Sequence, residues 1–145
     1  MIALIQRVNR AEVRIDGHAH AQIDAGLLAL IGMRKGDDPA KAEQLIDRVL
    51  AYRVFADSEG RMNLSLRDTG GGLLLVSQFT LAADTRSGLR PSFSPALPSG
   101  EAEPLWEALL RYTDAQHAPV RSGRFGADMQ VALENNGPVT FWLEV

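Results

Sequence analysis

The chain has 145 residues, enough for one domain with a substantial core, and a net charge of −3 from 15 Lys+Arg against 18 Asp+Glu. That balance argues against a generic nucleic-acid coat, because counterion-release binding needs a concentrated basic surface; any RNA contact must be local, and DNA is not an expected partner. With no cysteine there is neither a disulfide framework nor a thiol nucleophile, no apolar run is long enough to cross a membrane, and "MIALIQRVNR" lacks the layout of a secretory signal.

In chain order, "IALIQRV" and "AEVRIDG" read as two short strands with a turn near Asn9–Arg10. "AHAQID" continues the alternation, and "GLLALIGM" has the unbroken apolar run of a strand buried on both faces. "DDPAKAEQLIDRVLAYRVF" predicts a helix: Asp38 suits the cap, Pro39 suits the first helical position, and Ala42, Leu45, Ile46, Val49 and Leu50 recur at helical spacing. "RMNLSL" and "GLLLVSQF" are strands. Residues 85–100, "TRSGLRPSFSPALPSG" with its flanks, are too polar and too broken by Pro and Gly for regular structure. A second helix over "EAEPLWEALLRYTDAQH" turns Leu105, Trp106, Leu109 and Leu110 to the core, and the chain closes in a hairpin, "ADMQVALE" and "VTFWLEV" joined by Asn-Asn-Gly. The expectation is one domain over residues 1–145, of α/β (α+β) type, with a mixed, barrel-like sheet and two helices.

Few residues offer obvious chemistry. His18 and His20 share one face of a strand, but nothing in the sequence completes a metal-ligand set, so no metal or other cofactor is expected. There is no G-x-S-x-G elbow, and His117, after the second helix, has no expected orienting carboxylate, so a serine-hydrolase triad is disfavoured. Arg86, Arg90, Arg121 and Arg124 flank turn-like segments and suit phosphate, or simply solvent.

Two stretches resist the bland reading. "LLLVSQFTLAADT" runs an apolar strand directly into Ser77, Gln78, Phe79 and Thr80. A strand that stops pairing leaves main-chain N–H groups free to stabilise an oxyanion, with no histidine, metal or cysteine required. In "NNGPVT", Pro138 opens a strand with no N–H to give to a ladder.

Together these stretches resemble the signatures of the D-aminoacyl-tRNA deacylases. "QRV" at 6–8, "GLLALIG" at 26–32, "RMNLSL" at 61–66, "SQFTLAADT" at 77–85, "RPSF" at 90–93, "GRFGADMQV" at 123–131 and "NNGPVT" at 135–140 extend the similarity nearly end to end. The resemblance implies a cytoplasmic homodimer acting on the aminoacyl-adenosine at the 3′ end of tRNA. It hydrolyses D-aminoacyl-tRNA and glycyl-tRNA(Ala) and spares L-aminoacyl-tRNA. It further implies a cis Gly137–Pro138 peptide that reaches into the partner's pocket as a chirality gate, and Arg7 as the residue orienting that segment. Ser77, Gln78, Phe79 and Thr80 become the catalytic pocket, and Phe125 and Met129 the surroundings of the terminal adenine. Thr80 has no visible base, so water or the RNA 2′-hydroxyl is the favoured participant. Ser87 and Leu89 depart from common family choices, which bears on phosphate binding by the 85–100 loop; Asn136 stands where Asp is frequent, and both suit a turn. The rival reading is a non-catalytic, nucleic-acid-binding scaffold on the same fold.

Overall fold

The computed structural model describes residues 1–145. Its centre is a parallel pair. Strand β3 (Gly26–Gly32) and strand β6 (Gly72–Ser77) run side by side in register from Gly26↔Gly72 to Ile31↔Ser77. The sheet order is β2-β1-β3-β6-β7, where β1 is Ile2–Ile15, β2 is His18–Ile23 and β7 is Val120–Ser122; β8 (Gln130–Glu144) lies along β1. β6 pairs parallel with both neighbours and every other pair in this sheet is antiparallel, so the sheet is mixed and curls toward a barrel.

Alternation along the central strands divides the core. Leu27, Ala29, Ile31, Leu73 and Leu75 face a cluster completed by helix α1 (Pro39–Ala51) and helix α3 (Ser99–Gln116). Leu28, Leu74 and Val76 face the other way and pack with Val8, Ala11, Val13 and Ile23. A strand with both faces covered reads as an unbroken apolar run. At about 1.5–3 kcal/mol for each fully buried Leu, Ile or Val, these strands supply much of the driving force for folding. Close approach is part of the design: a Cβ on Gly26 would lie 1.9 Å from the Gly72 carbonyl oxygen, so the strands can begin side by side only without one.

Helix α1 follows the sequence expectation at its start and along its buried face, but it ends at Ala51, and Phe55 of the expected stretch is in a strand. The Asp38 side chain accepts from the Lys41 N–H, Pro39 takes the first turn, and Ala42, Leu45, Ile46, Val49 and Leu50 are the buried residues. In α3, Leu105, Trp106 and Leu109 are buried as expected, while Leu110 is only partly so. A third, short helix, α2 (Leu66–Thr69), interrupts the strand expected over "RMNLSL". Only β5 (Met62–Leu64) is extended there, paired with β4 (Phe55–Ala56). A reciprocal capping box between Ser65 and Asp68 turns the chain into the helix.

The other departures lie in β1 and β8. No turn falls at Asn9–Arg10; β1 runs unbroken, and the register steps from Val8↔Asn135 to Arg10↔Glu134, leaving Asn9 as an extra residue. Both polar side chains reach across the ladder, Asn9 to Glu134 at 2.7 Å and Arg10 to Glu134 at 3.4 Å. Nor is there a terminal hairpin. Both halves of β8 pair with β1, not with each other, and residues 136–139 form an excursion opposite Arg7 alone, between Asn135↔Val8 and Thr140↔Gln6. The Gly137–Pro138 peptide in that excursion is cis, as is Ala118–Pro119.

Removing the cap tests the helix argument separately from the site. Asp38→Ala is expected to lower stability by about 1 kcal/mol, read from the urea midpoint, with activity per folded molecule unchanged.

Candidate active site

Strand β6 ends at Ser77, and there the chain changes direction. The Gln78 N–H makes one more bond, 2.7 Å to the Ile31 carbonyl, and a 3-10 turn follows over Phe79–Ala82. Its bonds begin with Leu81 N–H to Gln78 O and Ala83 N–H to Thr80 O, so the Phe79 and Thr80 N–H groups precede the first donor of the turn. Glycine permits this arrangement. A Cβ on Gly32 would stand 2.8 Å from Leu81 Cβ and 3.3 Å from the Gln78 carbonyl oxygen, so the turn can fold back onto β3 only if residue 32 has no side chain.

The turn borders a cavity of about 520 Å³. Ser77, Gln78 and Phe79 line one side, Phe125 and Met129 another, and Ile31, Met33 and Val76 the floor. Two segments far apart in the sequence therefore meet, as expected for residues of one pocket. Gly123 makes the approach possible: its N–H donates to the Leu75 carbonyl at 2.8 Å, and a Cβ there would lie 2.6 Å from the Met129 sulfur. Thr80 is not part of the wall. It is exposed beside the cavity, where its hydroxyl accepts a 2.7 Å bond from the Gln78 side-chain amide. Leu97, Ala102 and Asp128 also line the cavity and were not singled out by sequence, since each looks like an ordinary helix or loop residue.

Among the lining residues only Asp128 is ionisable, and no histidine takes part. His117 instead shares a 2.7 Å hydrogen bond between Nε2 and the Gly71 carbonyl, tying the end of α3 to the start of β6. His18 and His20 sit exposed on β2, with the His18 ring bonded to the Asp16 carbonyl at 2.8 Å. Of the four arginines, Arg86 is committed to Asp84, with contacts of 2.9 and 2.7 Å, and holds that carboxyl well below the usual carboxylate range. Arg121 caps the Val120 carbonyl, while Arg90 and Arg124 are exposed and make no ion pair.

The 136–139 excursion lies outside the cavity wall of its own chain. Arg7 holds it: Nε donates to the Asn136 carbonyl at 2.9 Å, and a terminal nitrogen donates to the Val54 carbonyl at 2.5 Å. Asn135 closes it from the other end, its Oδ1 accepting from the Val139 N–H at 2.7 Å and its Nδ2 donating to Thr140 Oγ1 at 3.0 Å. Sequence reading had assigned Asn135 to a hairpin turn; its role is to pin the base of the excursion. Gly137 and Pro138 stand exposed at the tip.

Residues 4–144 match the family model described as D-Tyr-tRNA(Tyr) deacylase. The chain belongs to this family. It is 58% identical over 145 residues to the D-aminoacyl-tRNA deacylase of Thioalkalivibrio sulfidiphilus, covering all of this chain and 97% of that protein. It is 59% identical over 144 residues to the deacylase of the same name from Stenotrophomonas maltophilia, covering 99% of each. A solved structure described as a c-Myc DNA unwinding element binding protein superposes with a TM-score of 0.96 at 36% identity, covering 100% of this chain and 99% of that one. A probable eukaryotic D-amino acid tRNA deacylase shares the fold, with a TM-score of 0.86 at 14% identity, covering 99% and 98%. The deacylase is thus a hydrolase acting on the ester bond of aminoacyl-tRNA, and no helix of this chain is long and apolar enough to cross a membrane.

Gly32→Ala tests how the turn is placed. The added methyl is expected to displace the 3-10 turn, costing about 1–3 kcal/mol of stability and at least tenfold in kcat. Thermal melts and single-turnover hydrolysis on the same preparation measure both.

Proposed function

We propose that the cavity bordered by Ser77, Gln78 and Phe79 holds the aminoacylated 3′ adenosine, with Thr80 at its edge. Phe125 and Met129 flank the base, for which an aromatic ring and a polarisable thioether are suitable neighbours. The scissile carbonyl lies against the main-chain N–H groups of Phe79 and Thr80. The observation that carries this reading is the 3-10 turn itself, which presents two N–H groups ahead of its first internal bond, at the edge of a cavity whose wall holds no histidine.

The reaction is a balanced hydrolysis. A water, held in the site and helped by the neighbouring 2′-hydroxyl, adds its oxygen to the ester carbonyl carbon. The carbonyl oxygen gains negative charge and is met by the two N–H groups. The bond from that carbon to the 3′ oxygen breaks, the 3′ oxygen takes up one of the water's two protons, the other passes to solvent, and the amino acid leaves as its carboxylate. Removal of one such donor in other acyl-transfer sites costs about 10²–10³ in rate, so two donors plus positioning suffice for an ester already activated as an acyl donor. Thr80 does not attack, since its hydroxyl accepts from Gln78 and nothing nearby can take its proton.

Selectivity comes from a second copy of the chain. In the homodimer, each subunit's exposed Gly137–Pro138 segment enters the partner's cavity. Its carbonyl oxygens accept hydrogen bonds from the substrate's α-ammonium group and occupy the space that an L side chain needs. A D side chain points outward, and glycine has none to reject, so glycyl-tRNA(Ala) is also a substrate. Residues 1–145 act as one domain in the cytoplasm. The net charge of −3 supports local contact with a tRNA end over binding along a DNA duplex.

The decisive assay compares D-Tyr-tRNA(Tyr) with L-Tyr-tRNA(Tyr) at low enzyme concentration. Rapid loss of the D ester with the L ester intact is expected; hydrolysis of both refutes the gate, and of neither the activity. Arg7→Ala releases the excursion and is expected to lower the D-to-L ratio by tenfold or more, measured from kcat/KM for the two esters. For the nucleophile, Thr80→Ala should keep single-turnover hydrolysis within about tenfold of wild type, the scale of one hydrogen bond. Abolished turnover with substrate still bound would make the hydroxyl the nucleophile.

A further inference from the structure

The rim of the cavity carries an aromatic pair that the hydrolysis does not use. Phe79 is 58% exposed and Phe93 41% exposed. Their ring centroids are 4.9 Å apart and the planes are inclined by 58°. Phe79 lines the cavity; Phe93 does not, and so extends the aromatic surface outward from it. Neither ring is carried on loose chain. Gln78, beside Phe79, is bonded to β3 at 2.7 Å, and Ser92, beside Phe93, exchanges two main-chain hydrogen bonds with Asp84 at 2.8 and 3.0 Å. The Phe93 carbonyl accepts a further bond from the Ala96 N–H at 3.0 Å. The Asp84–Arg86 pair closes the same loop, leaving Arg90 exposed and unpaired three residues before Phe93.

Two touching phenylalanines held rigidly in water are unfavourable unless something covers them. Bases of single-stranded nucleic acid stack on such rings whatever their identity, and an arginine beside them suits the phosphate. The substrate of this family supplies such a strand, because the 3′ end of tRNA is unpaired and must leave the cavity across its rim. We propose that Phe93, supported by Phe79, is the stacking platform for the nucleotide preceding the aminoacylated adenosine, with Arg90 taking the intervening phosphate. Phe93 is then a substrate-positioning residue that makes hydrolysis depend on more than the terminal nucleoside. The proposal rests on the cavity holding that nucleoside.

The test compares two esters, D-Tyr-tRNA(Tyr) and D-tyrosyl-adenosine, which lacks the preceding nucleotide. For wild type, Phe93→Ala and Phe93→Trp, the quantity read is the ratio of kcat/KM for the tRNA ester to that for the nucleoside ester. Phe93→Ala is expected to lower this ratio roughly five- to hundredfold, the range for loss of one base–aromatic stack, mainly through KM. Phe93→Trp is expected to restore it. An unchanged ratio overturns the platform, as does an equal fall on both esters, which would make Phe93 a prop for Phe79. A loss that tracks a change in sedimentation overturns it too, because the rings would then be covered by a second copy. Wild-type failure on both esters removes the underlying assignment of the cavity, a result distinct from any change confined to Phe93.

Discussion

The parallel pairing of β3 with β6 is the constraint from which the site follows. Parallel strands need a long crossover, and here α1, β4, β5 and α2 make that crossing and place α1 over one face of the pair. The other face packs against Val8, Ala11, Val13 and Ile23. With water excluded from both sides, nearly every main-chain group must find its partner within the ladder. The ladder stops at Ile31↔Ser77, and the Gln78 N–H takes the last free carbonyl of β3. The N–H groups that follow are the first without such a partner, and they fall at the edge of the cavity. The proposed oxyanion donors thus lie where the sheet runs out, at the Phe79 and Thr80 N–H groups that precede the first donor of the 3-10 turn.

The second constraint is the partnership of β1 and β8. Fourteen residues of β1 support the longer β8, and the ladder tolerates an excursion of residues 136–139 because pairing resumes on both sides of it. A free loop of that size would be mobile. This one has the Arg7 guanidinium between Asn136 and Val54, and Asn135 bonded to Val139 and Thr140. The Arg7 guanidinium presents several donors in a fixed plane, which a lysine would not reproduce. The segment is therefore presented as a fixed shape, as any device that excludes by occupying space must be.

Sequence patterning revealed the elements whose burial is uniform. The apolar run of "GLLALIG" and the helical spacing of "AKAEQLIDRVLA" both correspond to the observed elements, because each is governed by a single environment along its length. Patterning failed where long-range pairing overrode local preference. Asn9–Arg10 and Asn135–Asn136–Gly137 carry turn-forming residues, yet both lie in long strands, because each pair of segments finds its partner in the other strand and not in itself. The turn chemistry was real; it became a one-residue bulge and a four-residue excursion. Ser65–Leu66 failed for a local reason, the capping box with Asp68. Of the pocket, the resemblance indicated Ser77–Thr80, Phe125 and Met129, and the structure brings all of these but Thr80 into the wall of one cavity. Leu97, Ala102 and Asp128 had no signal, since their place in the wall is fixed only by how α3 and the 123–129 segment pack.

In the proposed reading, a cavity wall with one carboxylate and no histidine bears on how catalysis is divided. No histidine serves this wall as a general base: His117 is bonded to the Gly71 carbonyl, and His18 and His20 sit exposed on β2. The proposed mechanism accordingly draws its rate from fixed dipoles and from the reactivity of the ester itself. Fixed dipoles stabilise the same oxyanion for an L or a D ester, so they contribute nothing to chirality. Discrimination has to come from elements that do not touch the scissile carbonyl. The proposed roles divide along this line: the donors lie at the end of β6, and the exposed Gly137–Pro138 segment stands in β8 on its own supports. In that reading the two functions share no residue, so mutation of one alters selectivity without altering the chemistry, and the reverse.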